Sequence, residues 1–124
     1  DVKKKIFFKG YDIYTHNGTK KSKWKFDSLI EKLEEICIGE IVINFIDNDG
    51  VMQGYDINLI KFVREKCSIP MTALGGAGTL DDIKNLISKF KIIGAAAGSL
   101  FVFKGKYRAV LINYPNRKER KHLY

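Results

Sequence analysis

The feature that most restricts the fold of this chain is a threefold alternation of short apolar runs with amphipathic segments. The apolar runs are residues 41–46, 70–74 and 92–97, and each of them ends at a glycine-rich or acidic loop. In the segments between them, apolar residues recur at intervals of three and four, which is typical of helices. Strands that alternate with such helices form parallel sheets through βαβ crossovers. The sequence therefore predicts an α/β fold in which parallel strands alternate with helices.

The starts of the helices are marked by residues that commonly cap them. The first helix is predicted from the apolar stripe between Phe26 and Cys37, with Asp27 as the candidate N-cap and Gly39 at its end, and the second from about Asp56. Residues 79–82 resemble a capping box in which aspartate replaces glutamate, and they open the third helix. A short further helix is predicted to begin at Ser99.

The N-terminal segment predicts a β-hairpin. Apolar and polar residues alternate loosely from Ile6 to Thr15, and His16-Asn17-Gly18 then offers a turn. The Asn-Gly pair favours this reading because both residues easily take the positive φ angles of a tight turn.

The length of the chain sets a limit on the architecture. A complete (β/α)₈ barrel typically needs ~250 residues, and this chain has 124 residues, so a barrel-like chain of this length supplies about half. Residues 1–124 are predicted to form a single unit, with residues 104–124 as an atypical basic C-terminal tail. The continuous apolar run of residues 41–46 is typical of a strand covered on both faces. A lone half barrel, however, leaves two unpaired sheet edges and an uncovered inner face, which invites pairing with another copy or with a separate N-terminal half.

Composition narrows the range of partners. The formal net charge is +8, and the excess lysine and arginine lie near both ends of the sequence. Such runs are usually solvated surface, so no nucleic-acid partner is expected. No apolar run approaches the ~20 residues of a membrane span, and no secretory signal is visible, so we expect a cytoplasmic protein without a membrane partner. The histidines and cysteines show no metal-ligand spacing, and neither a metal nor a cofactor is expected.

Two glycine-containing loops are candidates for phosphate binding. Gly75, Gly76 and Ala77 follow the second predicted strand, and Gly98 and Ser99 follow the third. Glycines let the backbone approach a phosphate closely, and a helix N-terminus offers free N–H groups. Either loop alone is better explained as a tight strand-to-helix turn. Two such loops on consecutive strands, in the order of the barrel phosphate site, favour a phosphate-binding function.

The acidic loop after the first strand is the candidate catalytic segment. Asp47 and Asp49 lie where the carboxyl end of a buried strand would place carboxylates available for proton transfer. A calcium loop that begins at Asp47 would need glutamate at its twelfth position, and Asn58 is there instead. We expect one aspartate to cap a turn and Asp49 to be the chemical residue.

In this order, the motifs resemble the second half of the HisF family, the cyclase subunit of imidazole glycerol phosphate synthase. The similarity runs from Asp1 to about Phe103, and its most specific motifs are residues 39–41, 46–50, 54–56, 75–78 and 96–101. The resemblance implies a phosphate-binding (β/α)₈ barrel of which this chain is the C-terminal half. It also implies a glutaminase partner that delivers ammonia and a phosphorylated small-molecule substrate. The implied products are imidazole glycerol phosphate and the aminoimidazole ribonucleotide.

The resemblance also assigns roles to individual residues. Asp49 matches the catalytic aspartate of the second half, which acts as general acid or base with another aspartate in the first half. Gly50, together with Gly76, Ala77 and Ser99, matches the phosphate site of the second half. Asp1 matches an aspartate at the end of the fifth strand, which helps to shape the active site.

Some residues depart from the pattern of the histidine enzymes. Asn48 stands where a basic residue is common, Phe45 replaces a small polar residue, and residues 107–115 lack the usual final amphipathic helix. Residues 107–115, together with residues 14–20, are more similar to HisF paralogues that amidate a sugar of a surface polysaccharide, which is the alternative function. A third alternative, of another class, is a non-catalytic module that binds phosphate esters.

Overall fold

The described part of the chain alternates strands with helices along most of its length. The computed structural model describes residues 1–6 and 9–124. The strands are β1 (Val2–Lys4), β2 (Tyr11–Thr15), β3 (Lys20–Lys25), β4 (Ile41–Asn44), β5 (Met71–Leu74), β6 (Gly94–Ala95), β7 (Phe103–Lys104) and β8 (Ala109–Val110). The helices are α1 (Phe26–Glu35), α2 (Ile57–Arg64), α3 (Leu80–Phe90), α4 (Ser99–Val102) and α5 (Arg117–Lys121).

The central sheet contains β4, β5 and β6 in that order, and all three strands are parallel. The register runs from Ile41 opposite Met71 to Asn44 opposite Leu74. Helices α2 and α3 make the crossovers between successive strands, as parallel pairing requires. The predicted parallel α/β sheet is confirmed, and the loops that follow its strands all leave from the same edge.

The last parallel strand is shorter than the predicted run of residues 92–97, because β6 spans only Gly94–Ala95. Lys91, at the end of α3, has a φ of 61°, so the chain is still turning out of the helix where the strand was expected to begin. Pairing with β5 continues by one bond, in which the Ala96 N–H donates to the Ala73 carbonyl at 2.9 Å.

The N-terminal segment forms an antiparallel sheet in the order β1, β2, β3. The predicted hairpin is confirmed between β2 and β3, and Asn17 and Gly18 have φ angles of 55° and 76° in its turn. Its first strand begins at Tyr11, later than the predicted start at Ile6. Residues 7–8 of the predicted strand lie outside the described residues.

Strand β1 also connects this hairpin to the central sheet. Val2 forms a parallel bridge with Phe45, and the Ile46 N–H donates to the Val2 carbonyl at 3.0 Å. This register places Asp1 level with Asn44, the last residue of β4. The residue before β1 therefore lies at the same sheet edge as the loops of the central strands.

Helices α2, α3 and α4 start where the sequence predicts. The Asp56 side chain accepts hydrogen bonds from the N–H groups of Asn58 and Leu59, both at 3.0 Å, and so caps α2. Thr79 and Asp82 form the predicted capping box of α3. The short helix α4 begins at Ser99, as predicted.

The predicted cap of the first helix is wrong. Helix α1 begins at Phe26, and the residue at its N-cap is Lys25, whose side chain makes no capping bond. Asp27 therefore lies already in the first turn, where its carboxylate pairs with Lys66 Nζ at 2.8 Å. The helix starts two residues early because β3 runs directly into it, without a loop.

The helices cover one face of the central sheet and leave the other open. Ile43 and Ala73 point towards the helices and are buried, and Leu86 of α3 is completely buried above them. On the opposite face, Val42 is 59% exposed. The prediction that residues 41–46 are covered on both faces is therefore wrong for the described residues. The uncovered inner face expected of a half barrel is present.

An aromatic cluster attaches the hairpin to the helical layer. Tyr11 packs edge-on against Phe26 and Phe45, with ring centroids 5.9 and 6.1 Å away, and Phe26 stacks on Phe62 at 5.8 Å. The Tyr11 hydroxyl donates to Asp56 Oδ2 at 3.1 Å. Burial, together with the nearby Asp56 carboxylate, raises the pKa of Tyr11 to about 12.

The segment predicted as an atypical basic tail contains regular structure. Strands β7 and β8 pair as a small antiparallel hairpin, and α5 is a five-residue helix with a capping box formed by Asn116 and Glu119. Tyr114 packs against Phe101 with ring centroids 5.0 Å apart, and Leu123 is buried. The end of the chain thus packs onto the α4 region through apolar contacts.

Tyr55 connects the loop before α2 to the last parallel strand. Its buried side chain donates a hydrogen bond to the Ala96 carbonyl at 2.9 Å. Burial, with a smaller contribution from the Asp82 carboxylate, raises the pKa of Tyr55 to about 12.

Replacing Asp56 with alanine is expected to lower the free energy of unfolding by about 2 kcal/mol, because α2 loses its N-cap and Tyr11 loses its acceptor. Urea unfolding followed by circular dichroism measures the change. The matched control is Asp27→Ala, which removes a first-turn carboxylate that caps nothing and is expected to cost less than about 1 kcal/mol. Equal losses in the two variants would contradict the assignment of Asp56 as the cap.

The stability of the chain is expected to fall between pH 10 and pH 12, in part because of Tyr55. A tyrosine ionises near its ordinary pKa of 10.0 in the unfolded state and only at about 12 in the folded state, so rising pH favours unfolding within this window. In Tyr55→Phe, the urea midpoint should decrease less steeply with pH over this range. The control variant Tyr107→Phe changes a side chain that is 90% exposed, and the urea midpoint should then depend on pH as it does in the unaltered chain.

Candidate functional site

Three loops meet at the carboxyl edge of the central sheet. The Gly54 N–H donates to the Gly76 carbonyl at 2.8 Å, which joins the loop after β4 to the loop after β5. Asn48 Nδ2 donates to the Gly54 carbonyl at 3.0 Å and fixes the acidic loop against them. The hydrogen bond from the Tyr55 hydroxyl to the carbonyl of Ala96, the residue after β6, connects these two loops to the end of the third strand. The loops that the sequence singled out therefore form one continuous surface.

Gly50 and Ser99 face each other across this surface. Gly50 has a φ of 73°, and a Cβ built on it would lie 3.9 Å from Ser99 Oγ, with no other described atom within 4 Å apart from its chain neighbours. Asp49 directly precedes Gly50 and is exposed. Asp49, which the sequence analysis favoured as the catalytic residue, thus lies one residue from the point where the acidic loop meets the Ser99 loop.

The two aspartates of the acidic loop have different surroundings. Asp47 Oδ2 accepts a hydrogen bond from the Lys4 N–H at 2.9 Å, and Asp47 Oδ1 lies 3.7 Å from Lys3 Nζ. Among the described residues, Asp49 forms no ion pair and its side chain accepts no hydrogen bond. Asp47 therefore holds the loop against β1, whereas the Asp49 carboxylate is available to a ligand.

Gly75, Gly76 and Ala77 form a buried layer beneath the acidic loop. Gly76 has a φ of 113°, and a Cβ at this position would overlap the Gly54 carbonyl. A Cβ at Gly75 would lie 2.6 Å from the Phe45 carbonyl oxygen. Both positions need glycine because two loops pack backbone to backbone here, a reason that the sequence alone did not reveal.

Gly98 has a different environment from these buried glycines. It is exposed, and apart from its chain neighbours no described atom lies within 4 Å of a Cβ built on it. Its carbonyl accepts hydrogen bonds from the N–H groups of Phe101 and Val102 at 2.9 and 3.2 Å, which closes the single turn of α4. The first N–H groups of a helix have no partner within it, so Ser99 presents both its hydroxyl and free backbone donors at this end.

Asp1 lies at the same edge but is held by a residue that the sequence analysis did not select. Its carboxylate Oδ1 accepts a hydrogen bond from Asn44 Nδ2 at 3.1 Å. The other amide atom, Asn44 Oδ1, is buried and has no hydrogen-bond partner among the described residues. Asn44 stood within an apolar run, and only its position at the last residue of a strand could have drawn attention to it.

Arg108 is a second residue that the sequence analysis missed. Its guanidinium Nη2 donates to the Gly50 carbonyl at 3.0 Å and so brings a positive charge to the point where Gly50 meets Ser99. No local motif marks Arg108, because it belongs to the segment that was interpreted as an atypical basic tail.

Two classes of site have no support in residues 1–6 and 9–124. They contain no group of three or more histidine, cysteine, aspartate or glutamate side chains placed to hold a metal ion. None of their helices has the length and apolar character needed to cross a bilayer.

Comparison with known proteins agrees with this geometry. A family model described as "Histidine biosynthesis protein" matches residues 1–108. The chain is 51% identical over 121 residues to the "Putative imidazole glycerol phosphate synthase subunit hisF3" of Vibrio vulnificus (strain YJ016), which covers 98% of this chain and 46% of that protein. It is 49% identical over 124 residues to the "Putative imidazole glycerol phosphate synthase subunit HisF" of Leptospira interrogans, which covers 100% of this chain and 49% of that protein.

A second protein of the same Vibrio strain is less similar. The "Imidazole glycerol phosphate synthase subunit hisF1" of Vibrio vulnificus (strain YJ016) is 36% identical over 95 residues, which covers 73% of this chain and 37% of that protein.

The chain spans about half the length of the curated relatives that it matches over its full extent. Its described residues form an open sheet of parallel strands and crossover helices with no closed barrel, as expected for half of a (β/α)₈ barrel. On the family match, the identities and this architecture together, the chain belongs to the histidine biosynthesis protein family of TIM barrels, in its HisF branch.

Proposed function

We propose that this chain is the part of a HisF-type cyclase that carries the second catalytic aspartate and the second phosphate site. The completed barrel would convert a phosphoribulosyl aminoimidazole carboxamide nucleotide and ammonia into imidazole glycerol phosphate and the aminoimidazole ribonucleotide. A glutaminase subunit would supply the ammonia from glutamine. The observation that carries the proposal is the approach of Gly50 to Ser99 directly beside Asp49.

Asp49 is proposed as the general acid or base of the second half. A proton-transfer group must reach the substrate and exchange its proton freely, which an exposed carboxylate outside any ion pair can do. Asp47 lacks this freedom because Lys3 and the Lys4 N–H already occupy it. Asp1, held by Asn44 at the neighbouring strand end, is proposed to shape the same site from its other side.

A phosphate group of the substrate is proposed to lie between the Gly50 and Ser99 loops. Backbone N–H groups at a helix start bind anions, and the Ser99 hydroxyl adds a donor beside them. Arg108 provides a positive charge at the Gly50 carbonyl.

The buried loop beneath and the glycine before α4 complete this phosphate site. Gly75, Gly76 and Ala77 are proposed to form its floor with their backbone, which the packing on Gly54 holds in place. Gly98 leaves the approach to Ser99 open, because no described atom beyond its chain neighbours lies within 4 Å of a Cβ built on it.

Turnover requires a second half that closes the barrel. The exposed side chain of Val42 shows that the inner face of the central sheet is uncovered. In a complete barrel this face would line the interior. A separate N-terminal half barrel would cover it and would also provide the other catalytic aspartate and the other phosphate site. Self-association of two copies is the alternative way to bury this face.

Amidation of a surface-polysaccharide sugar is the second candidate function, and one comparison favours it. The chain is 51% identical to the hisF3 protein of the Vibrio vulnificus strain but 36% identical to the hisF1 protein of the same strain. In an organism with two HisF-type proteins, one can serve histidine biosynthesis while the other directs ammonia to a different acceptor. Phe45 and Asn48, which depart from the histidine pattern, serve local packing in this structure, through the Tyr11 ring and the Gly54 carbonyl.

Mixing this chain with the N-terminal half of the Leptospira interrogans relative is expected to give cyclisation of the phosphoribulosyl nucleotide with free ammonia. Asp49→Asn should lower kcat by roughly 10²- to 10⁴-fold, because the variant cannot transfer a proton. Asp47→Asn, which keeps an acceptor for the Lys4 N–H, should retain kcat within about threefold. The assay follows product formation by chromatography.

Three other results of this mixing experiment would change the assignment. Full activity in Asp49→Asn would remove the proposed catalytic residue. Transfer of ammonia to a surface-polysaccharide sugar, without cyclisation of the nucleotide, would identify the second candidate function. Phosphate binding with no turnover in any mixture would identify a non-catalytic module.

Ser99→Ala is expected to weaken the binding of inorganic phosphate to this chain by about fivefold, the usual effect of one lost hydrogen bond of about 1 kcal/mol. Amide chemical shifts of Gly50 and Ser99, followed by NMR during a phosphate titration, measure the affinity. Ser88→Ala changes an exposed serine on α3 and should leave the dissociation constant unchanged. Identical constants for both variants would exclude Ser99 from the phosphate site.

A further inference from the structure

A basic cavity lies on the hairpin, outside the residues assigned to the proposed cyclase site. It has a volume of about 430 Å³ and is formed by the side of the antiparallel sheet that faces away from the core. We call it the hairpin cavity. Its charged and polar lining residues are Lys3, Lys4, Lys5, Asp12, Tyr14 and Lys21.

Strand pairing brings Lys3, Asp12, Tyr14 and Lys21 to one face, whereas Lys4, the next residue of β1, points to the opposite face. Val2 is opposite Ile13 in the register of β1 and β2, and both are buried, which fixes the inner face of this sheet. Lys3 is opposite Asp12, one residue along each strand, and therefore points outwards. The next pairing, of Tyr14 with a lysine of β3, adds Lys21 to the same face. The position of the lysines is thus set by the core beneath them.

The charges in the hairpin cavity are unbalanced. Lys3, Lys5 and Lys21 lie with Asp12 on this face, a formal excess of two positive charges, and Asp47 at 3.7 Å balances part of the charge of Lys3. The aspartate is already occupied, because Asp12 Oδ2 accepts from Lys21 Nζ at 2.6 Å and Asp12 Oδ1 lies 4.0 Å from Lys5 Nζ. This hydrogen bond from Lys21 to Asp12 raises the pKa of Lys21, which favours its charged form. Like charges held together by strand pairing repel one another, and a bound anion would relieve the repulsion.

The hairpin cavity adjoins the proposed reaction centre. Asp47 contacts Lys3 and the Lys4 N–H from the loop that also carries Asp49 and Gly50. The parallel bridge between β1 and β4 places both features at the same edge of the fold. A ligand bound between Gly50 and Ser99 can therefore extend along this edge towards the lysines.

We propose that the hairpin cavity is an anion-binding subsite for a phosphate or carboxylate group of a small acidic metabolite. Its volume lies in the range of ~300–1,000 Å³ that small-molecule sites usually have. A concave cavity of this size therefore favours a single anionic group over a nucleic-acid strand. Lysine ammonium groups recognise either oxyanion as point charges, and the Tyr14 hydroxyl supplies a further donor.

Titrations of the chain with pyrophosphate and with malonate, followed by NMR of backbone amides, test the subsite. We expect shifts at residues 3–5, 12 and 21 with at least one of the two probes, and the stronger binder identifies phosphate or carboxylate as the preferred group. The double variant Lys5→Gln/Lys21→Gln should weaken binding at these residues by about tenfold or more, since two ion contacts are lost. The double variant Lys84→Gln/Lys89→Gln lowers the net charge of the chain equally on the exposed side of α3 and should have little effect.

The outcomes separate this inference from the proposed function. Loss of shifts at residues 3–5, 12 and 21 in Lys5→Gln/Lys21→Gln, with shifts at Gly50 and Ser99 preserved, supports the subsite. Equal weakening in both double variants, or no shift at the hairpin with either probe, overturns it and leaves the Gly50–Ser99 site untouched. Stronger binding of a mixed-sequence oligonucleotide than of either small anion also overturns it. The absence of shifts at Gly50 and Ser99 alone would count against the proposed function and leave the subsite standing.

Discussion

The backbone hydrogen bond from Gly54 to Gly76 is the contact on which the candidate site depends. It holds the loop after β4 against the loop after β5 at 2.8 Å, and Asn48 adds a second bond to Gly54 from the acidic loop. The Gly54 carbonyl occupies the space that a side chain at position 76 would need. Two loops that pack this closely cannot move apart independently, so Asp49 and Gly50 keep a fixed place relative to the strand ends. The parallel strands give the loops a common edge, and this bond makes them a single surface.

Features encoded by neighbouring residues were predicted well from the sequence. The capping box of Thr79 and Asp82 and the cap of α2 at Asp56 depend on contacts within four residues, and the pattern of residue types therefore predicted them. The order and direction of the central strands followed from the alternation of apolar runs and helices. The one wrong cap, at Asp27, shows the limit of such rules, since any early aspartate fits the pattern. Only the direct passage from β3 into α1 decides where the helix begins.

Contacts between distant residues could not be read from the sequence. Asn44 meets Asp1 across 43 residues, and Arg108 meets Gly50 across 58 residues. Neither residue stands in a motif of its own, and both reach the edge of the sheet only once the chain is folded. Gly76 was predicted for the space that it offers a phosphate, whereas its close approach is to backbone. The sequence singled out these loops as candidates, but the pairing between them is a tertiary property.

The Asp56 carboxylate links the hairpin to the start of α2 through its two oxygens. Oδ1 receives the first N–H groups of α2, and Oδ2 receives the hydroxyl of Tyr11 from the hairpin. Asp56 follows Gly54 by two residues. The residue that holds the hairpin is therefore close in sequence to the hydrogen bond between Gly54 and Gly76. A displacement of β2 would pull on the same side chain that fixes the beginning of α2. The hairpin and the start of α2 are therefore mechanically coupled, and a shift of either one is transmitted to the other through a single side chain.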